Sequence, residues 1–302
     1  MSTSGARERA DRAKTSILES WDQLAEDWDR WTPVVNRWFA PASRHLISSL
    51  GLRPGERVVE FAAGSGGFTP DLSRAVGPSG HVLATDGAPG MARLAARNAR
   101  RDRLENVEVV PIDGERPDLP QDSFDAVTCR QGLMFFPRPA ETLRAWRDLL
   151  RPGGRIAFSA FSAPARNAFL VRPAEVLSRW AHPEGGPPEP PDAPGPFRLS
   201  RPGEAASLLA GAGLVDVRVI SVDCPLELPD LGTLVSFYHM ILGGIVEDLS
   251  PDESRRAWDE VAERCAGFVT PEGVRAPCEL VVAAGRRGPS GRSPVPSRAG
   301  LN

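Results

Sequence analysis

One stretch decides the fold: residues 58–67 have the sequence Val-Val-Glu-Phe-Ala-Ala-Gly-Ser-Gly-Gly. The two β-branched residues predict a buried strand ending at Glu60, and the small residues after it let a ligand approach the backbone closely. A dinucleotide-binding loop instead follows G-x-G-x-x-G and holds a pyrophosphate. In this chain Thr69 stands at the third glycine position, and a carboxylate at the strand end would repel phosphate. The stretch therefore predicts a site for a cationic ligand.

Short apolar runs alternate with helical patterns on either side of this stretch. Alternation of this kind is typical of parallel βα units. Strands are predicted at residues 57–61, 81–86, 107–112, 124–129, 155–161, 215–222 and 278–284. We therefore predict an α/β fold with a doubly wound, seven-stranded, mostly parallel sheet of the Rossmann-like kind.

The remaining segments differ in composition from this alternating part. The N-terminal residues are polar and charged, and tryptophans then recur at helical spacings. We predict a disordered tail at 1–14, a helical cap at 15–52, a main domain at 53–285 with helical lid insertions at about 162–202 and 226–277, and a disordered tail at 286–302. We expect the two insertions to cover the ligand edge of the sheet.

Composition excludes several function classes. The chain has 36 basic and 39 acidic residues and a net charge of −3, so nucleic acid is not an expected partner. The four cysteines lie far apart without C-x-x-C spacing, which argues against a metal site and against a disulfide framework. The chain shows no signal peptide and no run of ~20 apolar residues. We expect a cytoplasmic protein without membrane association. The sequence does not determine the oligomeric state, and a homodimer stays open.

Further motifs follow the opening stretch in a fixed order. The second predicted strand ends in Asp86, and the later blocks are Asp-Gly-Glu at 113–115, Ser-Phe-Asp-Ala-Val at 123–127, Gly-Leu-Met-Phe-Phe-Pro at 132–137 and Leu-Leu-Arg-Pro-Gly-Gly-Arg at 149–155. With these blocks, residues 58–162 resemble the class I S-adenosylmethionine-dependent methyltransferases. The resemblance is to the small-molecule branch that includes the ubiquinone and menaquinone methylases.

The resemblance implies S-adenosylmethionine as cofactor and a role for each strand end. The implied cofactor-binding residues are Glu60, Ala62, Gly64 and Gly66 for the methionyl part, Asp86 for the ribose hydroxyls, Met91, Asp113 and Gly114 for adenine, and Arg130 and Gln131 at the next strand end. Backbone carbonyls at 129–131 would accept hydrogen bonds from the methionyl ammonium, and Gln131 would face the methyl group. One departure is visible, because such families usually place glycine where Ala62 stands. A methyl group at that position would be strained at positive φ.

The resemblance implies methyl transfer to a small organic acceptor, as expected in bacterial secondary metabolism. Transfer from a sulfonium depends mainly on placement, and a general base is needed only for a weakly acidic acceptor. The candidate catalytic residues are His239, Tyr238 and His45, with a packed core pair as the alternative for the first two.

Other functions stay open for this sequence. The same fold can use the bound sulfonium without methyl transfer, for cyclisation, rearrangement or decarboxylation. A non-catalytic binding subunit is another alternative. A nicotinamide dehydrogenase is disfavoured by Glu60 and by the missing third glycine.

Overall fold

The computed structural model describes residues 3–185 and 193–289, and a seven-stranded sheet lies at its centre. Its strands in chain order are β1 (Arg57–Glu60), β2 (His81–Asp86), β3 (Val107–Pro111), β4 (Phe124–Arg130), β5 (Leu150–Phe161), β6 (Leu214–Asp223) and β10 (Glu279–Arg287). These strands correspond to the seven predicted ones. Their central members are buried on both faces, as in β4 and β5, because helices cover the sheet.

The order of the strands predicts where a ligand would bind. It is β3-β2-β1-β4-β5-β10-β6, with β10 antiparallel to both of its neighbours and the other pairs parallel. The chain order reverses between β1 and β4, and in open α/β sheets ligands bind outside the carboxyl ends of the strands at such a switch point. The predicted fold class is confirmed, and Glu60 ends the strand at this switch point.

Helices surround the sheet and connect its strands. They are α1 (Thr3–Gln23), α2 (Ala25–Leu50), α3 (Thr69–Val76), α4 (Pro89–Arg101), α5 (Pro139–Leu149), α6 (Ala168–Ala181), α7 (Glu204–Gly211), α8 (Leu231–Leu242) and α9 (Pro251–Cys265). Helix α2 packs on β5 and β10 with the apolar face that includes Trp38, Phe39 and Leu46. None of the described helices is long and apolar enough to cross a membrane.

The N-terminal segment departs from the prediction. We predicted a disordered tail over residues 1–14, whereas α1 begins at Thr3 and continues to Gln23. Ion pairs explain the order of this charged segment, since Lys14 contacts Asp113 and Asp11 contacts Arg138 at 2.7 Å. The composition of residues 1–14 gave no sign of these ion pairs, because their partners lie about a hundred residues away in the sequence.

The second insertion, predicted to be helical, also contains strands. A small antiparallel sheet is formed by β7 (Leu226–Leu228), β8 (Val269–Thr270) and β9 (Gly273–Ala276) in the order β7-β9-β8. Helix α8 ends at Leu242 and passes into a 3₁₀ turn at Gly243–Val246, because consecutive glycines weaken an α-helix. In the first insertion, residues 186–192 lie outside the described residues. Of the predicted C-terminal tail, residues 290–302 lie outside them, and β10 extends to Arg287.

Candidate functional site

Glu60 lies at the carboxyl end of β1 with almost no solvent exposure. Its Oε2 accepts a hydrogen bond from the Thr69 hydroxyl at 2.6 Å. Burial raises the pKa of this carboxyl to about 7, and the hydrogen bond and the positive charge of Arg130 oppose that rise. A buried carboxylate of this kind gains most from a cationic partner.

The loop after Glu60 holds three residues in the left-handed region of φ. They are Ala62 at 52°, Gly64 at 58° and Gly66 at 78°. The two glycines adopt this conformation without strain, whereas Ala62 costs about 1–2 kcal/mol there. The methyl group of Ala62 points at Gly132, where an added Cβ would overlap with it and would lie 2.8 Å from Cys129 Sγ. The departure at Ala62 is therefore accommodated by a glycine on the loop after β4.

Asp86 ends β2 and faces the same loop. Its two oxygens accept hydrogen bonds from the Gly64 and Ala88 backbone N–H groups, at 2.8 and 2.9 Å. Burial raises the pKa of Asp86, and these two hydrogen bonds oppose the rise. Each carboxylate oxygen keeps a further lone pair, so the group can still accept hydrogen bonds from a vicinal diol.

The residues predicted for adenine binding lie beyond β2 and β3. Met91 is buried in α4, where it forms a cluster with Ala25 and Ala88 against which Trp21 and Trp28 pack. Gly114 admits no side chain, since an added Cβ would lie 2.9 Å from the Phe136 ring. The Asp113 carboxylate also lies at this edge, with its side chain 39% exposed and in contact with Lys14.

Helix α1 covers this edge of the sheet with residues from the segment predicted as a helical cap. Asp22 accepts a hydrogen bond from the Gly90 backbone N–H, and Leu18 would meet a Cβ at Gly87 at 2.9 Å. Below it, the buried Glu115 carboxylate forms ion pairs with Lys14 at 3.4 Å and with Arg138 at 2.9 Å. The Asp-Gly-Glu motif contained Glu115, but the sequence did not reveal its ion pairs, because the partners come from distant segments.

Arg130 and Gln131 lie at the end of β4, beside β1. The Arg130 guanidinium donates hydrogen bonds to Ser43 Oγ and Asn36 Oδ1 of α2, both at 3.1 Å. Gln131 adopts φ of 62°, and its amide oxygen and nitrogen are both buried without a hydrogen-bond partner in the described part of the chain. An orphaned buried amide at a strand end indicates a ligand that completes its hydrogen bonds.

The three candidate catalytic residues are not brought together with these strand ends. His239 stacks on Trp258, with ring centroids 3.8 Å apart, in a groove of about 680 Å³ between α8 and α9. Tyr238 is buried beside Cys265, and burial strongly raises the pKa of its hydroxyl. His45 is exposed on α2, next to the inward-facing Leu46.

These residues together suit S-adenosylmethionine. Glu60 offers a carboxylate to a cation, Asp86 offers free lone pairs to a diol, and Gln131 has an unsatisfied amide at the switch point. The backbone at Gly66 lies close to helix α4, since an added Cβ at Gly66 would lie 3.3 Å from Ala95. The adenine end is bordered by Met91 and by aromatic rings, as a flat apolar group requires.

Comparisons with known proteins agree with this geometry. Residues 58–154 match the protein family described as Methyltransferase domain. Aklanonic acid methyltransferase DauC of Streptomyces sp. strain C5 is 32% identical over 147 residues, which are 49% of this chain and 66% of that protein. Nocamycin O-methyltransferase of Saccharothrix syringae is 28% identical over 281 residues, covering 91% of this chain and 99% of that protein.

Other relatives match in part or by fold. The ubiquinone/menaquinone C-methyltransferase UbiE of Azotobacter vinelandii is 32% identical over 54% of this chain and 64% of its own length. The chain thus spans about two thirds of DauC and UbiE. The YcgJ protein of Bacillus subtilis has a TM-score of 0.56 at 18% identity, covering 82% of this chain and 97% of that one. The [4+2]-cyclase SpnF has a TM-score of 0.54 at 15% identity, covering 88% and 96%. At these identities the structural likeness concerns the fold alone.

Proposed function

Because residues 58–154 match the family described as Methyltransferase domain, we propose that the chain is an S-adenosylmethionine-dependent methyltransferase that methylates a small organic acceptor of bacterial secondary metabolism. The observation that carries the proposal is the set of polar groups at these strand ends: the buried carboxylates of Glu60 and Asp86, which can accept further hydrogen bonds, and the amide of Gln131, which has no partner among the described residues. The relatives named for aklanonic acid and nocamycin support an acceptor of this class. We further propose a cytoplasmic protein that binds neither nucleic acid nor membrane.

The residues of this chain have positioning roles in the proposed reaction. Glu60 and Asp86 would hold the donor by its charged and hydroxyl groups, while Met91 would pack on the adenine. The cofactor supplies a methyl group activated by a sulfonium, which leaves as a neutral thioether and needs no general acid. Well-oriented reactants can gain about 7–11 kcal/mol over a bimolecular encounter. Gln131 would then orient the acceptor beside the methyl group by its free amide.

Aromatic rings pack together between α2 and α8. The Trp31 ring of α2 meets the Phe237 ring of α8 edge to face, with centroids 5.1 Å apart. Behind them, Trp38 contacts both Phe169 and Phe237. Phe237, Phe169 and Trp38 are buried in the core, whereas Trp31 is partly exposed, so the Trp31 ring is the one of these four that could contact a flat or polycyclic acceptor. A general base is not required if the acceptor hydroxyl is acidic, as in a phenol.

A labelling experiment tests the proposal and separates it from its alternative. Purified full-length protein is incubated with S-adenosylmethionine carrying a labelled methyl group and with hydroxylated polycyclic acceptors such as aklanonic acid. We expect label in the product, and loss of labelling in Asp86→Asn. A product formed without label would instead favour cyclisation, rearrangement or decarboxylation.

A further inference from the structure

Cys224 and Cys278 lie opposite each other on adjacent antiparallel segments. Strand β6 pairs with β10 up to Asp223 and Glu279, and β7 pairs with β9 in a continuation of the same register, so the two cysteines are partners between these ladders. The Cys224 backbone N–H donates a hydrogen bond to the Cys278 carbonyl oxygen at 2.9 Å. Directly opposite residues of antiparallel strands project their side chains to the same face.

Both side chains face helix α2. The Cys224 thiol lies beside the backbone of Ala42, and the Cys278 thiol lies beside the indole of Trp38. The Trp38 indole N–H also donates a hydrogen bond to the Cys224 carbonyl oxygen at 2.7 Å. Trp38 and Ala42 lie one turn apart on one face of α2. The two thiols therefore contact neighbouring positions on the same helix, which agrees with their pairing in the sheet.

The pair encloses the second insertion. Cys224 follows β6 and Cys278 precedes β10, so the chain between them contains α8, α9 and the small three-stranded sheet. Both cysteines are free and buried. Their spacing in the sequence gave no sign of a pair, because the whole insertion separates them. A covalent bond between them would join the two ends of this insertion.

The pairing geometry suits a disulfide. Cα atoms of directly opposite residues in antiparallel strands lie about 4.5–5.5 Å apart, and a disulfide bridges Cα atoms that lie about 4.4–6.8 Å apart. We propose that Cys224 and Cys278 form a redox-modification site, in which a peroxide converts the two thiols into a cross-strand disulfide. The inference goes beyond the proposed function and does not depend on the identity of the donor or the acceptor.

The oxidation balances with hydrogen peroxide as the oxidant. One thiolate attacks the peroxide O–O bond and becomes a sulfenic acid, and the released hydroxide takes up the proton lost by that thiol to form water. The sulfur of the second thiol then displaces hydroxide from the sulfenic sulfur, and its proton joins this hydroxide as a second water. The two cysteines lose two electrons and two protons in total, and one peroxide molecule is reduced to two molecules of water.

Burial makes this reaction slow. It raises the pKa of Cys224 to about 11, and it also raises the pKa of Cys278, to which the charge of the nearby Cys224 contributes. The thiolate is the reactive form, so only a small fraction of either side chain reacts at neutral pH. We therefore expect oxidation over hours rather than seconds, as for a site that responds to sustained exposure to an oxidant.

Peptide mapping of the full-length protein tests the proposal. The protein is incubated with hydrogen peroxide, unfolded in the presence of an alkylating reagent and digested with trypsin without reduction. We expect residues 219–255 to be linked to residues 276–286, with Cys129 and Cys265 alkylated and the linkage reversed by dithiothreitol. Cys265→Ala, at a buried position on α9, is the matched control and should give the same linked peptides. Cys224→Ser should give none.

Thermal unfolding tests whether the bond fits the folded chain. The disulfide would close residues 224–278 into one loop, and a crosslink that closes a long loop stabilises the folded state relative to the unfolded chain. We expect the oxidised wild type to unfold about 5–10 °C above the reduced protein. Cys224→Ser should show no such rise after the same treatment.

The remaining outcomes would overturn the proposal. Alkylation of all four cysteines after the peroxide treatment would do so, as would sulfinic acid at either position of the pair or a disulfide between other peptides. A linked pair with an unchanged or lower unfolding temperature would also do so, because the bond would then distort the folded chain. If Cys224→Ser does not fold, the peptide map of the wild-type protein decides, since it requires no variant.

Discussion

The strand ends of β1, β2 and β4 bury different kinds of side chain from helices α8 and α9 of the second insertion, which we call the lid. The strand ends enclose ionisable or amide groups such as Glu60, Asp86 and Gln131, whose hydrogen-bonding capacity is only partly used. The lid encloses mainly apolar side chains, including Phe237 and Val261, which satisfy one another by packing. Buried polar groups without partners are costly unless a ligand completes them. The difference agrees with the proposal that the donor binds at the strand ends.

The largest expected effect comes from filling the space opposite Ala62. In Gly132→Ala, the new methyl group would overlap with Ala62 Cβ and press on Cys129 Sγ, so the loop after β1 must move. We expect a loss of about 1–3 kcal/mol in the free energy of unfolding and no measurable S-adenosylhomocysteine binding by calorimetry. Gly211→Ala, with nothing within 4 Å of the added Cβ, is the control. Equal behaviour of the two variants would contradict the account of Ala62.

The next effect concerns Asp86. Asparagine keeps the size of the side chain but offers one acceptor oxygen, while two backbone N–H groups and the ribose require two. Titration of Asp86→Asn should show about 10- to 100-fold weaker S-adenosylhomocysteine binding. Asp223→Asn, which alters an exposed carboxylate, serves as the comparison. Wild-type affinity in Asp86→Asn would remove this strand end from the donor site.

A pH series sharpens the comparison at Glu60. Because burial raises its pKa to about 7 from an ordinary 4.5, the stability that comes from the protonated form is complete below pH 4.5 and is lost as pH rises through 7. Relative to Glu60→Gln, the free energy of unfolding of the ligand-free wild type should fall across this window, by up to about 3 kcal/mol. Affinity for the ammonium-bearing S-adenosylhomocysteine should rise over the same window. Parallel pH curves for the two proteins would refute the assignment.

The smallest effect is expected in the lid. The Tyr238 hydroxyl is buried beside the Cys265 thiol, which is a weak hydrogen-bond partner, so Tyr238→Phe should change the free energy of unfolding by less than about 1 kcal/mol. Methyl transfer, measured by initial rates, should stay within about 2-fold of wild type. A general base would be worth about 10²–10⁴-fold, so a loss of that size would restore Tyr238 as a catalytic candidate.

The sequence predicted the sheet, and it placed Glu60 and Asp86 at strand ends, because these signals are local. A strand that ends in an acid and is followed by small residues, as at Glu60, can be recognised without knowledge of the rest of the chain. The positive φ of Ala62 and the glycine that accommodates it could not be predicted, since Gly132 is seventy positions away. The order of α1 depends in the same way on distant partners such as Asp113. In the lid, apolar spacing predicted helices but did not indicate which way His239 faces.

The most direct test of the central claim is a crystal structure of the full chain with S-adenosylhomocysteine. The account predicts that the ribose hydroxyls lie within hydrogen-bond distance of Asp86, that Gln131 gains a partner near the sulfur, and that Trp31 borders the space beyond the sulfur. A complex with the ligand in the groove beside His239, or with Asp86 and Gln131 unchanged in their contacts, would contradict it.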